Sequence, residues 1–104
     1  MTDNVFPYKG QEFTIRMDNG LEVKNGYLHD GKTIRIEFLT GDLTGTVMEV
    51  PFSWRELDGN NFLISWQEAD KNTVVHCDNF VSRISYAYYT TMSGEFYQMK
   101  GTIL

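Results

Sequence analysis

Hydrophobic and polar residues alternate along most of this chain, in short stretches separated by turn signals. Three examples are FTIRM at residues 13–17, IRIEF at 34–38 and FLISW at 62–66. A period of two is typical of β-strands that bury one face. Residues 51–56 are the one stretch where we expect either a helical turn or a bent strand. The pattern therefore predicts an all-β protein.

Turn signals rich in Gly, Asn and Asp recur about every ten residues, a spacing typical of a meander of short strands. Between them we predict eight strands, at residues 12–18, 21–28, 33–39, 45–52, 61–67, 73–77, 83–89 and 96–103. Antiparallel strands joined by tight turns can remove their exposed edges by closing into an up-and-down barrel. At this strand number the interior either fills with side chains or holds one small ligand.

Two other architectures remain open at this point. A β-sandwich is the first alternative, because it also uses short alternating strands. A five-stranded oligonucleotide-binding barrel is a weaker one, because it needs fewer strands and usually a basic groove.

Composition and charge narrow the class of function. The 104 residues allow one domain, and 41% hydrophobic and 14% aromatic residues are enough to fill its core. With 9 Lys and Arg against 14 Asp and Glu, the formal charge is -5, and no basic cluster is present. We therefore expect neither nucleic acid nor an anionic membrane surface as a partner.

The cysteine content and the first residues point to a compartment. Cys77 is the only cysteine, so it cannot form an intramolecular disulfide. Residues 1–4 lack the basic start of a signal peptide, and no apolar stretch of the right length follows them. We expect a cytoplasmic protein.

Three segments carry a resemblance to known families: FTIRMDNG at 13–20, TIRIEFLTGDLTGTV at 33–47 and FLISWQEADKNTVV at 62–75. They resemble MoaF-like proteins and, more distantly, phenolic acid decarboxylases. The most specific piece is the S-W-x-E motif that ends at Glu68. Both families have lipocalin-like (calycin) β-barrels, so the resemblance implies one such barrel from about residue 10 to the C-terminus.

The resemblance places the site of the decarboxylases on four positions, of which one keeps its polar group. Glu68 stands at the position of the carboxyl that acts in that barrel. The two tyrosines that hold the substrate carboxylate are matched here by Ile15 and Met17, and the arginine is matched by Thr46. Without these donors a substrate carboxylate would be desolvated and unpaired. We therefore expect the MoaF-like branch and no decarboxylation of this type.

Glu68 and His76 are the candidate acid–base residues. The resemblance implies that Glu68 faces the lumen beside Trp66, where burial would raise the pKa of its carboxyl. Continued alternation puts His76 on the same face, so the two could meet across a hairpin and transfer a proton. Alternatively, Glu68 ends a strand and accepts hydrogen bonds from the turn, and His76 is a structural histidine bonded to a carbonyl or a tyrosine.

The inward face also offers candidate metal ligands and candidate walls of an aromatic pocket. Glu68, His76 and Asp78 could supply three ligands, but no second histidine supports them, so we expect no metal and no other cofactor. Tyr86 and Tyr88 share one face of strand seven and are expected to line a pocket for an aromatic or heterocyclic ligand. Alternatively, these tyrosines pack across strands or form the surface of a homodimer.

The interpretation we favour is a small-molecule-binding barrel without catalytic activity, in which Glu68 is the polar anchor. The other predicted ligand-binding residues are Ile15, Met17, Thr46, Trp66, His76, Tyr86 and Tyr88. The alternative is a calycin-type enzyme that uses Glu68 and His76 for acid–base chemistry on a small aromatic or heterocyclic substrate. A third role is an interaction module that forms a homodimer. The identity of the ligand does not follow from the sequence.

Overall fold

The computed structural model describes residues 5–104 as a closed barrel of eight antiparallel strands in chain order. The strands are β1 (Glu12–Met17), β2 (Glu22–Tyr27), β3 (Thr33–Phe38), β4 (Val47–Glu56), β5 (Asn61–Gln67), β6 (Thr73–Asn79), β7 (Ile84–Thr90) and β8 (Phe96–Ile103). β1 also pairs with β8, so every strand has two neighbours and no edge is left unpaired. The predicted all-β, up-and-down barrel is confirmed.

Outside the strands, the described chain has little regular structure. One short 3-10 turn, Asp58–Asn60, connects β4 to β5. No helix within residues 5–104 is long and apolar enough to cross a membrane. The expectation about a signal peptide rests on residues 1–4, which lie outside the described residues.

The strand bounds agree closely with those predicted, except at β4. β5 and β8 have the predicted bounds, but β4 continues to Glu56, so residues 51–56 form a strand and no helical turn. Pro51 is opposite Thr33 of β3, whereas Phe52 is opposite Trp66 of β5. β4 thus changes partner at Pro51, a residue that has no N–H to donate to a ladder.

Aromatic rings fill the end of the barrel where β1 begins. Phe6, from the segment before β1, is fully buried, and its ring centroid lies 4.6 Å from that of Tyr27 and 5.3 Å from that of Phe52. Phe80, from the β6–β7 connection, approaches the ring of Tyr8 to 4.3 Å. We call this cluster the aromatic plug; its members are Phe6, Tyr8, Phe13, Tyr27, Phe52, Trp54, Phe62 and Phe80. Any space in the lumen therefore lies towards the other end.

Closure of the barrel requires a glycine on β8. A Cβ atom at Gly101 would lie 2.7 Å from Met17 Sδ and 2.8 Å from Ile15 Cγ2. Both contacts are shorter than van der Waals separation, so a larger residue would push β8 away from β1. Gly101 is opposite Met17 in the ladder that closes the barrel.

Candidate functional site

The lumen holds a pocket at the end opposite the aromatic plug. Its volume is about 60 Å³, and it opens to solvent at the rim of the barrel. This volume exceeds the roughly 15 Å³ that one water needs but is below the roughly 150 Å³ of a cavity that holds benzene. Most of its wall is apolar and includes Met17, Val23, Phe38, Trp66, Val74 and Met99. A ligand here must be small, or must extend out of the opening.

Four polar side chains line this lumen pocket, at two depths. Glu68 follows the last residue of β5, and Tyr89 lies near the end of β7, so both are at the opening. Asn25 and His76 lie one step deeper along β2 and β6. The next inward residue of β2, Tyr27, already belongs to the aromatic plug. Asn25 and His76 therefore form the floor of the pocket.

At the opening, a chain of hydrogen bonds holds Glu68. The Tyr89 hydroxyl donates to Glu68 Oε1 over 3.0 Å and accepts from Asn72 Nδ2 over 2.8 Å. Asn72 also accepts from the backbone N–H of Met92 over 3.0 Å, which ties the β5–β6 connection to the β7–β8 connection. One carboxyl oxygen of Glu68 is thus engaged by the protein.

The titration behaviour of this pair follows from its burial. Burial raises the pKa of Glu68 above its ordinary value, and the hydrogen bond from Tyr89 opposes part of this rise. Burial, together with the neighbouring Glu68 carboxylate, raises the pKa of Tyr89 to about 12. Glu68 can therefore donate a hydrogen bond to a ligand when protonated and accept one when ionised.

At the floor, His76 belongs to a buried polar cluster. Its Nδ1 lies 3.2 Å from Asp78 Oδ1 and 3.2 Å from Ser85 Oγ, and the Ser85 hydroxyl donates to Asp78 Oδ1. All three side chains are buried. In a nucleophilic triad the serine and the aspartate meet opposite nitrogens of the histidine, whereas here both meet Nδ1. The cluster instead holds the imidazole ring in place through Nδ1. Nε2, on the opposite edge of the ring, is not used by these hydrogen bonds.

Glu68 and His76 share the pocket but not a hydrogen bond. Their inward placement, expected from the resemblance for Glu68 and from continued alternation for His76, is confirmed by their burial and by their place in the lining. In the β5–β6 ladder, however, His76 is opposite Ile64, four residues before Glu68, and the Trp66 ring packs on His76 at 5.1 Å between centroids. Within residues 5–104 each binds other partners. Because both residues face inward, a pair across the hairpin was possible, but they do not form it.

The predicted placement of Tyr86 and Tyr88 in the lumen is wrong. Their exposed fractions are 45% and 47%, and they lie on the outer face of the barrel. The reason is the register of β6 and β7, in which His76 is opposite Ala87. Cross-strand partners share a face of the sheet. Ala87 therefore faces inward, and Tyr89 lies on the same face. Tyr86 and Tyr88 alternate with them and face outward.

The three positions taken from the decarboxylase resemblance have different locations. Met17 lines the pocket. Ile15 is buried in the core but is not part of the lining. Thr46 is exposed in the β3–β4 connection, so its predicted place in the binding site is wrong. In the described part of the chain, no group of three His, Cys, Asp or Glu side chains is placed to hold a metal ion.

Sequence reasoning missed Asn25 and Tyr89. Asn25 is 1% exposed, and neither its Nδ2 nor its Oδ1 has a hydrogen-bond partner among residues 5–104. The same holds for Nε1 of Trp66. The signal for Asn25 was available, because it lies between Val23 and Tyr27 in an alternating strand. For Tyr89 the signal was that the face of β6 that contains His76 continues, across the β6–β7 hairpin, onto the face of β7 that contains Tyr89.

Comparisons with known proteins agree with this architecture. The MoaF-like family model matches residues 9–104. The crystal structure of a protein from Burkholderia vietnamiensis, which carries only the provisional name of beta-lactamase, superposes with a TM-score of 0.93. The two chains are 32% identical, and the match covers 98% of each. No curated protein matches the sequence. With a family model matching nearly its whole length, the chain belongs to the MoaF-like family.

Proposed function

We propose that this barrel binds a small, uncharged and largely apolar molecule in the lumen pocket, with Glu68 as polar anchor. The observation that carries the proposal is the pocket itself: an apolar cavity in a barrel whose other end is occupied by the aromatic plug. Its few polar groups include the buried Glu68 carboxyl and the unpaired Nε1 of Trp66. Apolar walls with a few placed polar groups are typical of small-molecule sites.

The charges around the pocket argue against anionic ligands. No Lys or Arg side chain is part of the lining, and Glu68 lies at the opening. An anion would lose its hydration without gaining a cation in return. The name of the Burkholderia protein does not carry over either, because this sequence has no S-x-x-K motif, which serine beta-lactamases need.

The alternative role, a calycin-type enzyme, rests on the raised pKa of Glu68. A carboxyl of this kind inside a cleft is suited to general acid–base work. In this reading Glu68 would act at the opening without His76 as its partner. NMR spectra of the added molecule, recorded over days with the protein, separate the two roles. A molecule that stays chemically unchanged supports binding, and the signals of a new product support catalysis.

The proposal is tested by ¹H–¹⁵N NMR titration with the neutral probe cyclopentanone. The indole N–H signal of Trp66, in the pocket wall, should shift in a saturable way, whereas that of Trp54, in the aromatic plug, should not. Ala87→Val fills the pocket and should abolish the shift. Thr90→Val, on the exposed side of the same strand, is the matched control. Shifts confined to the barrel exterior, or none at Trp66, would overturn the proposal.

Two further expectations stay predictions. A homodimer would use the outer aromatic face, where Tyr88 lies beside Phe96 with 6.1 Å between ring centroids. Sedimentation equilibrium of the wild type and of Tyr88→Ser would test it. Cytoplasmic location fits the free Cys77 thiol, and fractionation of cells would test that expectation.

A further inference from the structure

We propose that Asn25 selects the ligand of the lumen pocket, by pairing with a neutral group in which an N–H donor lies beside a C=O acceptor. Lactams, cyclic ureas and cyclic imides carry such an edge. The inference rests on the proposed binding function and adds the chemical class of the ligand.

The position of Asn25 has no explanation in packing alone. It lies inside the barrel, 1% exposed, at the floor of an apolar pocket. Neither amide atom has a hydrogen-bond partner among the described residues. A buried amide without partners destabilises the fold, whereas a leucine of similar shape would not. An amide at this position is best explained by a partner that enters the pocket.

The shape of the amide defines that partner. A carboxamide presents an acceptor and donors in one plane, so it forms two parallel hydrogen bonds with an adjacent donor and acceptor. Asparagine reads the edge of adenine in the same way. A ketone would leave the Asn25 oxygen unpaired, and an ammonium or a guanidinium group, which has no acceptor, would leave its NH₂ group unpaired. A group with N–H and C=O side by side satisfies both.

The rest of the lining restricts the ligand to neutral molecules of modest size. A carboxylate finds no Lys or Arg in the wall. The buried indole N–H of Trp66, which lies near the Glu68 carboxyl, is a second donor in the same wall. A pocket of about 60 Å³ admits part of one small ring, and the remainder would extend towards Tyr89 and Met99 at the opening.

Three probes of similar size test the inference by ¹H–¹⁵N NMR titration. 2-Pyrrolidone carries both groups, cyclopentanone has the same ring size and the carbonyl but no N–H, and N-methyl-2-pyrrolidone has a blocked nitrogen. We expect 2-pyrrolidone to bind at least about tenfold more tightly than the other two, since each of them leaves part of Asn25 unpaired. It should also shift the side-chain NH₂ signals of Asn25.

The variant Asn25→Leu replaces the amide with an apolar side chain of the same branched shape. It should lose the preference for 2-pyrrolidone over cyclopentanone, because the amide that distinguishes the two probes is gone. A preference that survives in Asn25→Leu would overturn the role of Asn25. If the variant does not fold, the ratio between 2-pyrrolidone and cyclopentanone in the wild type still decides.

Failure of this inference is distinct from failure of the proposed function. Equal binding of 2-pyrrolidone and cyclopentanone, with the Trp66 signal shifted by both, would overturn the selection by Asn25 and leave the binding pocket in place. No shift of Trp66 with any probe would overturn both.

Discussion

Replacement of Phe6 by alanine tests whether the segment before β1 is part of the core. Phe6 is 0% exposed, and its ring contacts five others, those of Tyr8, Tyr27, Phe52, Trp54 and Phe62. Its centroid lies between 4.6 Å and 6.0 Å from theirs, mostly in tilted or edge-on geometry. Truncation therefore removes the centre of the aromatic plug.

The expected cost follows from this burial. Phe→Ala substitutions in cores lower the free energy of unfolding by about 3–5 kcal/mol, because transfer energy is lost and a cavity remains. Phe6 lies at the end of the barrel, where neighbouring rings can move into part of the space, so we expect about 3 kcal/mol. For a domain of this size, that lowers the melting temperature by at least about 12 °C.

Urea unfolding followed by tryptophan fluorescence measures this loss. Val5→Ala is the matched control, because Val5 is the neighbouring residue and is 49% exposed; its effect should stay within about 0.5 kcal/mol. A loss in the free energy of unfolding below about 1 kcal/mol for Phe6→Ala would refute the reasoning, since removal of a ring at the centre of the core destabilises a protein by more than this. The segment before β1 would then not close the barrel in solution.

Three further changes have expected outcomes. Glu68→Gln should gain stability relative to the wild type as the pH rises above about 4.5. Because the pKa of Glu68 is raised in the folded protein, the wild type loses stability as this carboxyl ionises, whereas glutamine does not ionise. If urea unfolding shows the same difference in the free energy of unfolding between the two proteins at all pH values, this expectation is contradicted. Tyr89→Phe should raise the pKa of Glu68 further, because it removes a hydrogen bond to the carboxylate, and a ¹³C carboxyl titration that shows no rise would count against that bond. Gly101→Ala should destabilise the barrel by about 1–3 kcal/mol in thermal unfolding, through the contact with Met17 Sδ. Gly26→Ala is its control and should be nearly neutral, because the new Cβ would lie 3.4 Å from the flexible Glu12 side chain and 3.7 Å from the backbone oxygen of Arg35, without a clash.

The wrong placement of Tyr86 and Tyr88 has one physical origin. Alternation shows which residues of a strand share a face, but not which of the two faces points inward. On β6 the resemblance fixed the face correctly, and His76 and Asp78 are buried. On β7 the pattern alone allows Tyr86 and Tyr88 to line the lumen, whereas the register with β6 places Ala87 there and leaves both tyrosines outside.

The sequence by itself determined the eight strands, because turn residues and the period of two are local properties of the chain. The family and its barrel were indicated by the resemblance of three segments to MoaF-like proteins. The same resemblance, extended by alternation to β6, implied that Glu68 and His76 face inward, and both are buried. Only the tertiary structure decided how the lumen is divided between the aromatic plug and the pocket, since that depends on where Phe6 and Phe80, from segments outside the strands, insert. It also decided that Asn25 is buried without a partner, because pairing in the lumen joins residues far apart in the chain.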